Sequence, residues 1–327
     1  MIGKVVFSWG AHQVKGSRNY MEDGYSVIEN FNEHIHDNTL HDIPRSYFGV
    51  FDGHGGDGCM HFVKKTLHLE LARALEETRG DTEASLKLAF AWTEDKWMEK
   101  VKSSSKNEAD TSGTTATVCI LEGEEVFCAY LGDSPAFIMH HKNKTLSSMS
   151  EDHKPNGKIE SKRIKKNGGT VKRQKKGPHR IYPGGLAVSR SFGDPTAKLA
   201  EFGGKVGTLI AEPEVSRHVI NDESHFLFLC TDGVTDNVKN KQDIYLPLLR
   251  GYEPGIKEAS KGSEVDYNLA TRRMAVSAVE GLVKNDGYQD NATAVVVMFE
   301  ATRSLLAKDA KSSVASLDTV HTLNNLF

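Results

Sequence analysis

The sequence predicts an α+β protein built on antiparallel sheets, and two observations carry that prediction. Apolar runs at Ser112 to Leu121, Glu125 to Leu131 and Ala136 to His140 are joined only by Glu122-Gly123-Glu124 and Gly132-Asp133-Ser134-Pro135. Connections that short make hairpins, and hairpins pair strands antiparallel. The helical patterns are grouped instead of alternating with the strands, so the chain does not read as βαβ units.

In chain order, Val5 to Phe7 and Tyr25 to Ile28 read as strands around the polar stretch Gly16 to Gly24, where Arg18, Glu22 and Asp23 crowd one connection. Ser46 to Gly56 is a short apolar strand that stops at Asp52-Gly53-His54-Gly55-Gly56, which places Asp52 at the strand's end. The glycines there let the backbone turn sharply and let an ion or ligand come close. A helix over about 57–78 carries Val63, Leu67, Leu71 and Leu75 at spacing four, and a second carries Leu86, Ala89, Phe90, Trp97 and Val101. Past the hairpins, Lys158 to Arg180 holds ten Lys and Arg against Glu160 alone, punctuated by glycine and proline. It reads as an irregular excursion, either a solvated face or a basic flap beside a site for anions. Strands are expected again at Val215 to Ile220, His225 to Cys230 and Ala292 to Phe299, and helices at Lys241 to Leu249 and Val265 to Lys284.

Length and composition narrow the class. The 327 residues are 38% hydrophobic and 26% charged with 29 glycines, an ordinary globular chain able to bury a full core. A net charge of -3 offers no global basic field for nucleic acid. Cys59, Cys119, Cys128 and Cys230 have no CxxC spacing and read as reduced core residues of a cytosolic protein. MIGKVVFSWG is too short an apolar start for a signal peptide, and no stretch reaches the roughly 18 apolar residues of a membrane span. The expectation is a cytoplasmic protein, with the nucleus left open, that meets no membrane.

The chemistry lies in the acids. Asp52, Asp133, Asp232 and Asp290 each abut an apolar run, Glu22 and Asp23 sit beside another, and Asp232-Gly233 repeats Asp52-Gly53 far along the chain. Carboxylates gathered in one place repel unless a cation holds them, and oxygen donors suit magnesium or manganese. If they converge, two ions about 3.5–4 Å apart would activate water for in-line attack on phosphorus. Arg18 could then hold phosphoryl oxygens and His54 give a proton to the departing alkoxide.

Eight ordered stretches sharpen this: Arg18 to Asp23, Phe48 to Gly56, Ser112 to Ala116, Leu131 to Ser134, Glu151 to Pro155, Leu186 to Asp194, Cys230 to Gly233 and Asp290-Asn291. Together they resemble the metal-dependent type 2C family of protein serine/threonine phosphatases, over about residues 4–299. The resemblance implies a central antiparallel β-sandwich flanked by helices on both sides, with phosphoserine and phosphothreonine in proteins as substrates. It implies two magnesium or manganese ions, with Asp52 bridging both, the Gly53 carbonyl serving one, and Asp232 and Asp290 serving the other. Glu22 and Asp23 would act through water, Asp133 with Asp232 would form a weaker third-metal site, Arg18 would bind phosphate and His54 would be the general acid. It further implies one catalytic domain over residues 1–300, a variable basic flap at 157–184 and a tail at 301–327 whose apolar spacing allows a helix. A monomer is expected. Pro135 departs from the family, in which arginine is common there, and so bears on the third-metal neighbourhood. Two other readings stand beside this one: a pseudophosphatase that binds without turnover, and a two-metal nuclease or other phosphoesterase.

Overall fold

The computed structural model describes residues 5–140, 144–173, 175, 177–236, 238, 240–259, 266–283 and 290–299. In chain order its elements are β1 (Phe7–Val14), β2 (Asp23–Ile28), β3 (Arg45–His54), α1 (Gly58–Glu77), α2 (Thr82–Ser103), β4 (Gly113–Thr114), β5 (Ala116–Glu122), β6 (Glu125–Leu131), β7 (Ala136–His140) and β8 (Thr145–Ser148). There follow α3 (Lys158–Lys166), β9 (Thr170–Arg173), β10 (His179–Tyr182), β11 (Phe192–Gly193), α4 (Pro195–Lys198), β12 (Glu214–Val219), β13 (Phe226–Cys230), α5 (Asp232–Thr235), α6 (Tyr245–Ala259), α7 (Tyr267–Val283) and β14 (Ala292–Phe299).

Two antiparallel sheets form the centre. One has the order β1-β14-β13-β7-β8; the other runs β11-β4-β3-β5-β6-β12, with β2 also paired to β3. The period of two along each strand decides what lies on either side. Phe48 and Val50 of β3 meet Leu227 and Leu229 of β13 and Val295 and Val297 of β14 between the sheets. Their neighbours Tyr47 and Phe51 face outward beneath α1 and α2, and Phe226, Phe228, Ala294 and Val296 face α6 and α7. The layers are therefore helix, sheet, sheet, helix, as expected.

The helical stripes do what their spacing required: Val63, Leu67, Leu71 and Leu75 are all buried on α1, each worth roughly 1.5–3 kcal/mol. Asp81 caps α2 by accepting from the Ala84 amide at 3.0 Å. The four cysteines are unpaired and buried, as core residues should be. No helix among the described residues is long and apolar enough to cross a membrane.

Three expectations need correcting. The first strand begins at Phe7 and continues to Val14, because its partner β14 runs opposite it over that whole length. β3 does not stop at Asp52: Gly53 and His54 stay in register with Thr114 and Gly113 of β4, and the turn comes at Gly55 and Gly56, both with positive φ. The basic excursion is not irregular, since it contains α3 and the β9–β10 hairpin. Ile164, Ile181, Ala197 and Leu209 give it a small core of its own, which the density of lysine and arginine concealed. The tail at 301–327 lies outside the described residues.

Candidate metal and phosphate site

Antiparallel pairing puts the ends of some strands beside the beginnings of others, and the acids lie at one such edge. Asp23, which opens β2, is the register partner of Asp52 near the end of β3. Asp133 follows β6, Asp232 follows β13 and Asp290 precedes β14. All converge. Burial and then the charges of Asp232, Asp23 and Asp133 hold the Asp52 carboxyl well above the usual range. Burial, then Asp133 and Asp236, push Asp232 up to about 8. Asp23 is raised to about 6 because burial outweighs the hydrogen bonds it accepts from Thr231 and Thr293, both at 2.8 Å. The charge of Asp232 is the largest effect on Asp52 after burial, so the two carboxyls are close neighbours.

The close approach at Gly53 is real but has a nearer cause than a ligand. A Cβ there would lie 2.4 Å from the Glu22 carbonyl oxygen, which the Gly53 amide also meets at 3.2 Å. The Glu22 carboxylate accepts from the Gly56 amide at 2.6 Å and so holds the turn after His54. Arg18 reaches the Asp290 carboxylate at 2.5 Å, and Lys154 caps Asp133. Pro135 leaves the sheet intact, since its carbonyl accepts from the Cys230 amide at 3.0 Å. With Asp133, Lys154, Asp232 and Asp236 it lines a cleft of about 230 Å³ beside the acids.

Among the described residues no three His, Cys, Asp or Glu side chains come near enough together to hold one ion. Of the acids, Asp290 pairs with Arg18 and Asp133 pairs with Lys154. Their chemistry nonetheless fits a hard divalent cation: the donors are all oxygen, and the mutual repulsion that lifts Asp52 and Asp232 is what such an ion would relieve.

Sequence reasoning assigned no role to four residues that the structure places here. Asn291 ties the Arg18 loop to β14, accepting from the Glu22 amide at 2.7 Å and donating to the carbonyls of Lys15 and Tyr20 at 2.7 and 3.0 Å. Lys154 and Asp236 complete the charge field around Asp133 and Asp232. Asp194, with its side chain 5% exposed, meets His54 Nε2 at 2.8 Å. Burial disfavours the charged imidazole, but the charge and hydrogen bond of Asp194 outweigh it and raise the His54 pKa. Asn291, Lys154 and Asp194 stand within stretches that drew attention, but their partners are distant in the chain.

Comparison with known proteins makes the chain a phosphatase of the metal-dependent class. The family model described as Protein phosphatase 2C matches residues 7–246, and the chain belongs to that family. It is 31% identical over 297 residues to probable protein phosphatase 2C 56 of Oryza sativa subsp. japonica, covering 91% of this chain and 72% of the relative. It is also 31% identical to probable protein phosphatase 2C 59 of Arabidopsis thaliana, covering 90% and 80%. A crystal structure of serine-threonine phosphatase 2C from Toxoplasma gondii shares the fold, with a TM-score of 0.68 at 21% identity over 90% of this chain and 95% of that one.

Proposed function

We propose that this protein hydrolyses phosphoserine and phosphothreonine in phosphoprotein substrates with the help of two magnesium or manganese ions, a third binding more weakly. The observation that supports it is the set of acids gathered at one edge of the sheets, with Asp23 in register with Asp52 and Asp232 next to it, in a chain of a phosphatase family. Asp52, the Gly53 carbonyl, Asp232 and Asp290 would hold the two ions. Glu22 and Asp23 would reach them through water, and Asp133 with Asp232 would hold the third. When bound, such ions lower the pKa of water and neutralise charge on a phosphoryl group.

The chain's own residues supply the rest. Arg18 exchanges Asp290 for the incoming phosphate dianion, which it can grip through two parallel N–H bonds. His54 donates a proton to the serine or threonine oxygen as it leaves. Water is the nucleophile, because the four cysteines are buried, and burial raises the thiols of Cys59, Cys119 and Cys230 out of reach of thiolate chemistry. Nothing favours a module that binds without turnover, since every acidic position is filled. The test is turnover of a phosphopeptide with manganese, with excess chelator, and in Asp52→Asn and Asp232→Asn. Activity indifferent to all of these overturns the reading, and faster cleavage of nucleic acid than of phosphopeptide overturns the substrate class.

A further inference from the structure

A second-rank acid stands behind the proposed proton donor. Asp194 has φ of 58°, a left-handed conformation that non-glycine residues hold only where the surroundings fix it. Its amide donates to the Ser112 carbonyl at 3.0 Å, and its carboxylate accepts from Ser191 Oγ at 2.6 Å. The preceding amide, Gly193, donates to Glu94 of α2 at 2.9 Å. Lys198, just beyond, donates to the same Glu94 and to the Ser191 carbonyl, both at 2.6 Å. Two contacts hold Asp194 itself, and three more fix the residues on either side of it.

That residue points at His54. Nε2 of the imidazole lies 2.8 and 3.0 Å from the two Asp194 oxygens. Room for the pair comes from Gly113, the register partner of His54: a Cβ there would come within 2.1 Å of Asp194 Oδ2 and 2.6 Å of His54 Nε2. With Nε2 engaged, Nδ1 is the ring nitrogen left for a substrate.

We infer that Asp194 is the positioning residue for His54, fixing one proton on Nε2 so that Nδ1 is the atom that gives its proton to the leaving group. This rests on the reading of His54 as the general acid. As water oxygen bonds to phosphorus, the P–O bond to serine or threonine breaks with its electron pair on the departing oxygen. That oxygen takes the Nδ1 proton, and the neutral ring keeps its Nε2 proton against Asp194 until solvent restores the other.

The test compares two leaving groups. A phosphoserine peptide releases an alkoxide that needs a proton, whereas p-nitrophenyl phosphate releases a phenolate that does not. Asp194→Ala should lose about 10²–10⁴-fold in kcat on the peptide, the usual size of a general-acid contribution, and far less on the aryl ester. Asp194→Asn tolerates the left-handed backbone and keeps an acceptor oxygen, so it should fold and recover part of the peptide rate. His54→Gln should show the same selectivity, and combining it with Asp194→Asn should add no further loss. In ¹⁵N-histidine NMR the neutral His54 ring should carry its proton on Nε2 in the wild type and share it between both nitrogens in Asp194→Ala. If His54→Gln slows both substrates alike, the general-acid reading fails and the inference with it. If His54→Gln is selective while the Asp194 variants slow both substrates equally, or leave the tautomer unchanged, the positioning role alone is overturned.

Discussion

Two of the buried charge clusters among the described residues are built on opposite plans. At the strand ends, Asp52, Asp232 and Asp23 face one another with too few cations, and their pKa values rise. Under the flap, Glu160 of α3 sits between two arginines. Arg190 holds its Oε1 at 2.8 Å, Arg163 its Oε2 at 2.6 Å, and Ser189 Oγ donates at 2.5 Å. Burial alone would lift Glu160, but the hydrogen bonds from Arg190 and Ser189 and the Arg163 charge pull it down to about 2. Arg190 also binds Glu214 at 2.8 Å, tying α3 to β12. A cluster that neutralises itself fastens parts of the chain together. One that leaves repulsion unrelieved suits the proposal of a cation from outside.

The largest effect should come from breaking the uncompensated cluster. Asp232→Asn should cost more than the 10–100-fold typical of a residue that only supports a metal ligand, read as phosphopeptide turnover with manganese. The same change removes a carboxyl that burial and its acidic neighbours keep from ionising, so the metal-free protein should melt at a higher temperature in calorimetry. A lower melting temperature for the metal-free variant would erase the contrast between the clusters.

The compensated cluster should respond with the opposite sign. Glu160→Ala strands Arg163 and Arg190 beside each other with their anion gone, and losing one partner of a buried pair costs about 3–5 kcal/mol. Urea unfolding should show that loss while manganese affinity measured by calorimetry stays at the wild-type value. Affinity falling in step with stability would mean that the two clusters are one unit.

Acid should dismantle the same cluster in two stages. His153, stacked on Tyr130 with ring centroids 5.3 Å apart, is lowered to about 4 by burial and then by Arg190. The unfolded histidine therefore takes up a proton first, and this part of the stability is lost as pH falls from about 6.5 through 4. Glu160, depressed to about 2, contributes fully above the ordinary glutamate range and is lost as pH falls from there through its folded value. Unfolding free energies of the manganese-loaded protein between pH 7 and 4 should fall, and Glu160→Gln should flatten only the lower part of the curve. A uniform slope in both proteins would detach the acid response from these residues.

How legible each cluster was follows from what a linear sequence records. The acids were readable because Asp52, Asp133, Asp232 and Asp290 each stand at the edge of an apolar run, and antiparallel pairing sets the ends of some strands beside the beginnings of others. Glu160 was read only as the lone acid in a basic stretch. Its partners Arg190 and Ser189 lie beyond the rest of α3 and a hairpin, and the few buried apolar residues on the way, Ile164 and Ile181, carry no visible periodicity. Asp194 was quoted in the Leu186 to Asp194 stretch, yet nothing local ties it to His54; only the β3–β4 and β4–β11 registers bring them together. The strand through Gly53 and His54 was missed for the same reason, since glycine argues locally for a turn and the pairing with β4 overrides it.

The smallest effect should come from charge that neither cluster uses. Exposed lysines and arginines of the flap act on a distant anion only through solvent, within roughly a Debye length of 8–10 Å. Part of the β9–β10 set also serves the hairpin itself: Lys172 lies 5.8 Å from the Tyr182 ring centre, and Arg173 donates to the Gly177 carbonyl at 3.2 Å. Neutralising Lys172, Arg173, Lys175 and Lys176 should therefore slow an acidic or multiply phosphorylated peptide by only a few-fold at low salt. A neutral phosphopeptide should be unaffected, and the difference should vanish in high salt. An unchanged ranking of peptides and an unchanged salt dependence would make the flap a solvated face. A loss as large as that of Asp232→Asn would instead place these residues in direct contact with the phosphate.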